Sequence, residues 1–398
     1  FYACSFYNNH SKSNGGALCK AGSSWTERTP DLEKCDFDAN TAGKSGGAVY
    51  ILDGEQTDRM DTYYCIFTNN KALVNGGGQC YDLNRSTGTR IKMYGNTYRA
   101  NAAYGGDHYG MINLKFNFYQ YMLMDSCYFE GEGTDVNNDF IGGWQEIRRC
   151  TFKNMYALYF NNADTVIITD CYVDAVAMPT GVHAYIAHNY FSENFRVLQS
   201  VNYVSIENNI FVCPNAEQLF DVFVVHTFYN NLCIAKKFFF RAKIASLRPV
   251  NCAFISTGDP TYLAPLDNFG DTIYIRHCYL KNLICQFYIV CDSTNIFDID
   301  PMFRDPANGD YRLLPCSPLV NAGLNTVVSR LPKDLAGGPR IRDNRVDIGP
   351  YETALNPPVT SPVVTASCKG FSSGIVSLRP LYGCPPYTYR WRSDTGQE

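Results

Sequence analysis

The stretch CSFYNN at residues 4–9 opens a unit that the chain repeats. The same C-x-F-x-x-N pattern returns as CDFDAN from Cys35 and as CIFTNN from Cys65, and NTYRAN from Asn96 repeats it with two substitutions. The four starts are 31, 30 and 31 residues apart, and a pair of glycines follows each copy. A fixed period of this length is the signature of a repeat architecture, so this unit decides the fold.

The pattern continues at shorter spacing along the chain. From Cys4 to Cys278 the mean step is about 25 residues, the length of one solenoid coil. Each unit contains short alternating runs such as 203–206, and none contains an amphipathic helix of ten residues. The leucine-rich pattern is absent, and a propeller blade would need about 40 residues. The sequence therefore predicts an all-β fold, a parallel β-helix.

The first and third positions of C-x-F point to one face of a strand. Successive coils stack about 4.8 Å apart, so equivalent residues should form rows along the axis, with small Cys beside large Phe. Because stacked Cβ atoms point in parallel, we expect these cysteines to be buried free thiols that act as small apolar fillers. The predicted ladder positions are Cys4, Cys35, Cys65, Asn96, Cys127, Cys150, Cys171, Cys252 and Cys278.

The last residue of the early repeat is always asparagine, at Asn9, Asn40, Asn70 and Asn101. Asparagine tolerates left-handed backbone angles, and its carboxamide can bond to equivalent residues in the coils above and below. The paired glycines that follow should make a sharp bend without a Cβ clash.

These repeats of GGA-(apolar) and F-x-x-N resemble those of the polymorphic outer-membrane-protein type, specifically over about residues 1–110. The resemblance implies a right-handed parallel β-helix of a surface protein. We expect its coils to occupy residues 1–296.

The phrases FDIDPMFRDPANGDYRLLP and DLAGGPRIRDNRVDIGPYE, within residues 297–352, resemble the C-terminal closing element of secreted β-helix surface proteins of Bacteroidota. The resemblance implies export by the type IX route, and the element should cover the last coil, whose open end would expose unpaired groups. Residues 353–362 are predicted to be a Pro-rich linker. Residues 363–398 resemble the start of a gliding-adhesin repeat, an immunoglobulin-like module. By analogy with that module, Cys368 and Cys384 are the expected disulfide.

Composition excludes several functions. The 398 residues have a formal charge of −4 and only 18% charged residues, which argues against nucleic-acid binding. No stretch of about 18 apolar residues could span a membrane. Nucleotide loops, a nucleophile elbow and zinc spacing are absent from the sequence. We therefore predict no catalytic residues, no cofactor and no metal.

An enzyme is the alternative hypothesis, because β-helices also host polysaccharide lyases and glycoside hydrolases. A lyase needs a basic residue to remove a proton beside a uronate carboxylate. A hydrolase needs two carboxylates, and Asp135 and Asp139, in an expected polar loop, are candidates. The candidate basic residues are Lys236, Lys237, Arg241, Lys243 and Arg248.

The binding hypothesis rests on aromatic residues outside the ladder motifs, which could stack on sugar rings or bury in a partner. These residues are Trp25, Tyr63, Tyr64, Tyr119, Tyr121 and Trp144.

The chain begins and ends inside a pattern, so we expect it to be a slice of a longer protein. We predict a non-catalytic, secreted cell-surface protein, an adhesin or a structural segment of an extracellular appendage. Its expected partners are other copies of itself, neighbouring domains of a longer chain, and surface glycans or another cell's surface.

Overall fold

A computed structural model describes most of the chain. The described residues are 1–20, 31–52, 61–83, 90–104, 110–117, 121–131, 135–141, 143–192, 195–197, 203–215, 220–222, 225–237, 239–240, 248–258, 261–265, 272–285, 289–328, 331–355, 362–367, 370, 373–378 and 388–390.

The described chain winds into stacked coils whose strands pair in parallel with the next coil, so the predicted all-β parallel β-helix is confirmed. One side is a 13-stranded sheet, which we call the ladder sheet because it follows the ladder positions. Its strands are Ser5–Tyr7, Asp36–Asp38, Ile66–Thr68, Thr97–Arg99, Tyr128–Glu130, Thr151–Lys153, Tyr172–Val173, Tyr190–Phe191, Ile210–Cys213, Leu232–Ala235, Ala253–Ser256, Tyr279–Lys281 and Ile296–Phe297. A four-stranded short sheet beside it contains His10–Ser11, Thr41–Ala42, Lys71–Ala72 and Ala102–Ala103.

The other strands of the coils form two further stacks. The long strands Ala157–Thr169 and Val176–Ala187 each run through both stacks and so join them. The middle stack also contains Leu18–Lys20, Val49–Leu52, Gln79–Leu83, Gly110–Asn117, Asp135–Ile141, Phe195–Val197, Phe220–Val222, Phe239–Phe240, Thr261–Pro265 and Leu283–Cys285. The other, here the aromatic sheet, contains Leu32–Glu33, Thr62–Tyr63, Arg90–Tyr94, Tyr121–Asp125, Trp144–Arg148, Tyr203–Glu207, Thr227–Tyr229 and Pro249–Val250. The strands Ile273–Ile275 and Ile289–Cys291 of the last coils pair with each other as a separate two-stranded sheet, which one isolated bridge, Val250 to Arg276, connects to the coil before.

The third residue of the repeat forms an aromatic stack inside the solenoid. Phe37 lies between Phe6 and Phe67, with ring centroids 4.8 Å apart on each side and the planes within 4° of parallel. The stack continues through Tyr98 and Phe129 at 4.9 and 4.8 Å. Their spacing is that of the strands, so backbone pairing and ring stacking are satisfied together.

The first position of the repeat has a polar role that the filler interpretation missed. The backbone N–H of five of the nine predicted ladder residues donates to a side chain of the next coil. Cys65 N donates to Asn96 Oδ1 at 2.9 Å, and Cys252 N donates to Cys278 Sγ at 3.3 Å. The Cys65 thiol donates to Tyr63 O. Cys and Asn therefore interchange because both are small acceptors.

The turn asparagines form a continuous ladder that is buried from Asn40 to Asn101. Asn40 Oδ1 accepts hydrogen bonds from the backbone and the carboxamide of Asn9, and Asn70 Oδ1 accepts the same pair from Asn40. The left-handed backbone angle lies one residue earlier than predicted: Ala39 has φ 54° and Asn69 has φ 55°. An alanine in this strained region shows that stacking with the neighbouring coils fixes the turn.

The glycine pairs satisfy two separate requirements. Gly46 has φ 71°, which disfavours any residue with a Cβ. Gly47 is needed for space, since a Cβ there would lie 2.0 Å from Gly77 O of the next coil. The fourth pair, Gly105–Gly106, lies outside the described residues.

Residues 299–351, here the lateral segment, pack along the side of the solenoid, whereas we expected them to cover its end. Lys333 O is 3.3 Å from His188 Nε2 and accepts from Asn208 Nδ2 at 3.2 Å. Two coils further along, Asn251 Nδ2 donates to Leu324 O at 3.0 Å. The segment contains the antiparallel strands Phe303–Asp305 and Asp310–Leu313 and the short 3-10 turns Pro306–Asn308 and Asn325–Val327. Its apolar contacts with the outer side of the ladder sheet join Ile210, Leu232, Ala253, Tyr279, Tyr311, Leu313, Leu319 and Ile348.

A buried charged cluster explains the DLAGGPR and VDIGPYE phrases. Arg340 is 1% exposed, and its guanidinium is 3.5 Å from Glu352 Oε1. Asp334 accepts hydrogen bonds from the backbones of Gly338 and Glu352, so it ties the two phrases together. Asp347 accepts from the backbone of Asn321 and of Thr353. The conspicuous acidic and basic residues of these phrases hold the lateral segment's own fold.

The C-terminal region contains an antiparallel hairpin, Val363–Thr365 with Ile375–Ser377, whose described side chains are exposed. Its assignment to an immunoglobulin-like module remains a prediction. Cys368 and Cys384 lie outside the described residues. The structure contains a disulfide that we did not predict, between Cys285 and Cys291, six residues apart in the last coil.

Candidate binding face

Three of the five candidate basic residues for a lyase are described, and they are divided between two sides of their coil. Lys236 and Lys237 follow the ladder-sheet strand of their coil, and Arg248 precedes its aromatic-sheet strand. The middle strand Phe239–Phe240 separates them. Arg241 and Lys243 lie outside the described residues. Asp135 and Asp139 are in the strand Asp135–Ile141, so the expected polar loop was wrong.

The outward side of the aromatic sheet is the most distinctive surface of the described chain. Arg90, Tyr121 and Trp144 are aligned on adjacent coils by the strand register. Thr165 and His183 continue the row through the two long strands. We call the outward residues Tyr121, Trp144, His183, Tyr185, Tyr203 and His226 the aromatic face.

Contacts at one end of the face fix the orientation of its side chains. The Arg90 guanidinium lies 5.0 Å from the centroid of the Tyr121 ring, a cation–π distance. The Tyr121 hydroxyl donates to Glu146 Oε2 at 2.8 Å. Burial, followed by this hydrogen bond, raises the pKa of Tyr121 above its ordinary value. Trp144 is 47% exposed, so its ring is open to solvent beside this ordered pair.

Asp125 ties two arginines to the same end. It accepts from Arg148 Nε at 2.7 Å and from Arg149 Nε at 2.8 Å, and its own side chain is 1% exposed. Burial opposes its ionisation, but hydrogen bonds from Arg149, Arg148 and Ser126 hold the pKa of Asp125 below its ordinary value. Arg148 also donates to Glu146 at 3.2 Å. The charges here are therefore paired with one another.

At the other end the rings lie against one another. Tyr203 stacks on His226 with centroids 4.7 Å apart, and Tyr185 lies 5.6 Å from Tyr203. Tyr185 remains 41% exposed. On the same side of the strand as Tyr203, buried Glu207 accepts a hydrogen bond from Ser205 at 2.6 Å. This packing holds the exposed ring of Tyr185 in a fixed environment.

Two of the aromatic residues predicted from the sequence to bind a ligand lie on this face. Tyr121 and Trp144 belong to it, whereas Tyr64 is an exposed turn residue against Tyr94 and Tyr63 hydrogen-bonds to Asp61. Tyr119 and Trp25 lie outside the described residues. The missed members are His183, Tyr185, Tyr203 and His226. The alternation of side chains in residues 203–206 could have identified one of them, since it places Tyr203 and Ser205 on the outward side of the strand.

Among the described residues, no group of three or more His, Cys, Asp or Glu side chains is arranged to hold a metal ion. The same part of the chain contains no helix with the length and hydropathy needed to cross a bilayer.

The family model of the Chlamydia polymorphic membrane protein repeat matches residues 3–20. These residues are the first C-x-F-x-x-N motif with its glycine pair, GGALC. No curated protein and no solved structure matches the chain. The matched repeat and the parallel stacking of the strands fit a β-helix surface protein.

Proposed function

We propose that this chain is part of a non-catalytic, extracellular surface protein, an adhesin or a structural segment of an appendage that attaches one surface to another. The observation that supports it is a long parallel β-helix whose first coil matches a polymorphic membrane protein repeat. A solenoid presents a long surface on which many weak contacts can add together, as attachment requires.

The finer parts of the proposal rest on the closing-element phrases and on the gliding-adhesin resemblance of residues 363–398. They assign the protein to the surface of a Bacteroidota cell, exported by the type IX route. Its partners are copies of itself or neighbouring domains of a longer chain, and glycans or another cell's surface.

Localisation and activity test the proposal separately. Antibodies against the purified chain should label intact, unpermeabilised cells, and brief protease treatment of those cells should remove the label. Soluble chain should reduce attachment of the cells. Label that appears only after permeabilisation would contradict the surface assignment, and turnover of any acidic or neutral polysaccharide by the chain would contradict the non-catalytic assignment.

A further inference from the structure

The rings of the aromatic face fall into two groups, Tyr121 with Trp144, and His183 with Tyr185, Tyr203 and His226. Thr165 lies between Trp144 and His183 in the row, so a small side chain separates the two groups, whose nearest rings in the row are two coils, about 10 Å, apart. Trp144 and Tyr185 are the two most exposed members, at 47% and 41%. Hot spots of protein interfaces cluster near the centre of one patch, whereas these two exposed rings stand two coils apart. This arrangement suits a ligand with apolar faces and polar edges, as a sugar ring has.

The charges around the exposed tryptophan cancel. We count the charges on the aromatic-sheet strands between Arg90 and Thr169 and on the turn residues that follow each strand. There are four cationic side chains and four carboxylates, so the formal charges sum to zero. These residues are Arg90, Lys92, Arg148 and Arg149, and Asp125, Glu146, Asp164 and Asp170. Several are paired: Asp125 binds both Arg148 and Arg149, and Glu146 binds Arg148. A balanced, internally paired surface has no net attraction for a charged ligand but offers fixed donors and acceptors to hydroxyl groups.

We propose that the aromatic face binds an extended neutral polysaccharide that runs obliquely across the coils, from Trp144 to Tyr185 two coils further along and one row across. One sugar ring stacks on Trp144 and another on Tyr185, and hydroxyl groups bond to Glu146 and Arg148. The ring of Tyr121, held by Arg90 and Glu146, borders the first subsite. This inference rests on the proposed attachment function and names the ligand class that the function requires.

The test uses the full chain and a panel of soluble polysaccharides, neutral (β-glucan, mannan, xylan) and acidic (polygalacturonate, alginate), in affinity electrophoresis and calorimetry. Trp144→Ala and Tyr185→Ala should each weaken binding of a neutral polysaccharide about tenfold or more, the equivalent of about 1.4 kcal/mol. Tyr172→Ala is the matched control, because Tyr172 is 40% exposed and stacks on Tyr190 on the ladder sheet. It should leave binding unchanged. Thermal unfolding of each variant shows that the fold is kept.

Binding of acidic polysaccharides alone, binding of none, or equal loss in Tyr172→Ala would overturn the inference. Failure of this inference can be told apart from failure of the attachment proposal. Cell labelling and the inhibition of attachment by soluble chain test the attachment proposal, and both are measured without any added glycan. A chain that labels cells and blocks attachment while binding no neutral polysaccharide would overturn only the ligand class and its site.

Discussion

Removing one carboxamide from the asparagine ladder should destabilise the coils on both sides of it. Asn70 is fully buried, and its side chain makes four hydrogen bonds: it accepts two from Asn40 and donates to Phe37 O and to Asn101 Oδ1. In Asn70→Ala the Asn40 N–H and the Phe37 carbonyl lose these partners. At about 1–3 kcal/mol for each buried main-chain group, the cost is about 2–6 kcal/mol.

The assay is urea denaturation followed by circular dichroism, with hydrogen exchange of the Asn40 amide as the local measurement. A loss of 2 kcal/mol corresponds to exchange about thirtyfold faster. Lys71→Ala, an exposed change one residue away, is the control and should stay within about 0.5 kcal/mol of the parent chain. If Asn70→Ala costs no more than Lys71→Ala, the ladder does not stabilise the coils and the reasoning is wrong.

Three further outcomes are expected. Phe67→Ala should cost about 3–5 kcal/mol in denaturation, because it empties a fully buried position between two stacked rings, and Phe67→Leu should cost less. A thiol reagent should modify exposed Cys19 in the native protein, and the buried ladder cysteines only after unfolding without reductant, because burial excludes the reagent and raises the pKa of the Cys127, Cys150 and Cys278 thiols. One reactive thiol or none in the unfolded, unreduced chain would contradict this. Burial also raises the pKa of Glu352 to about 8, so the native protein keeps this proton where the unfolded chain has lost it. The free energy of unfolding should therefore fall as the pH rises from about 4.5 to about 8. Denaturation at pH 5.5 and 8.5 should show a smaller pH dependence in Glu352→Gln, and an unchanged dependence would contradict the assignment.

The coil architecture could be predicted because its determinants repeat. Cys4, Cys35 and Cys65 recur at one period, and stacking in register follows from that period alone. The exact residue in the left-handed turn could not be predicted, since Ala39 and Ala100 are poor choices for that backbone and only contacts between coils impose it.

No repeated sequence pattern predicts that residues 299–351 pack along the side of the solenoid. Their contacts join Lys333 to His188, 145 residues apart, and depend on which outward residues of the ladder sheet are apolar. The aromatic face was recovered only in part for a similar reason. Tyr121 and Trp144 were recognised from the sequence, whereas Tyr203 resembled an ordinary strand residue, and only the strand register places it in the row of Trp144. The same register places Tyr185 in the neighbouring row, that of Glu146.

The lateral segment determines how the solenoid would respond to tension. A coil held only by its neighbour would peel away when pulled from its C-terminal end, breaking one row of hydrogen bonds at a time. The chain leaves the lateral segment at Thr353, where its hydroxyl donates to Leu313 O, and the segment is bonded to coils at His188, Asn208, Asn251 and His277. A force applied through residue 355 is therefore distributed as shear over several coils. If the chain has the proposed attachment function, such a linkage would let the solenoid carry load without unravelling.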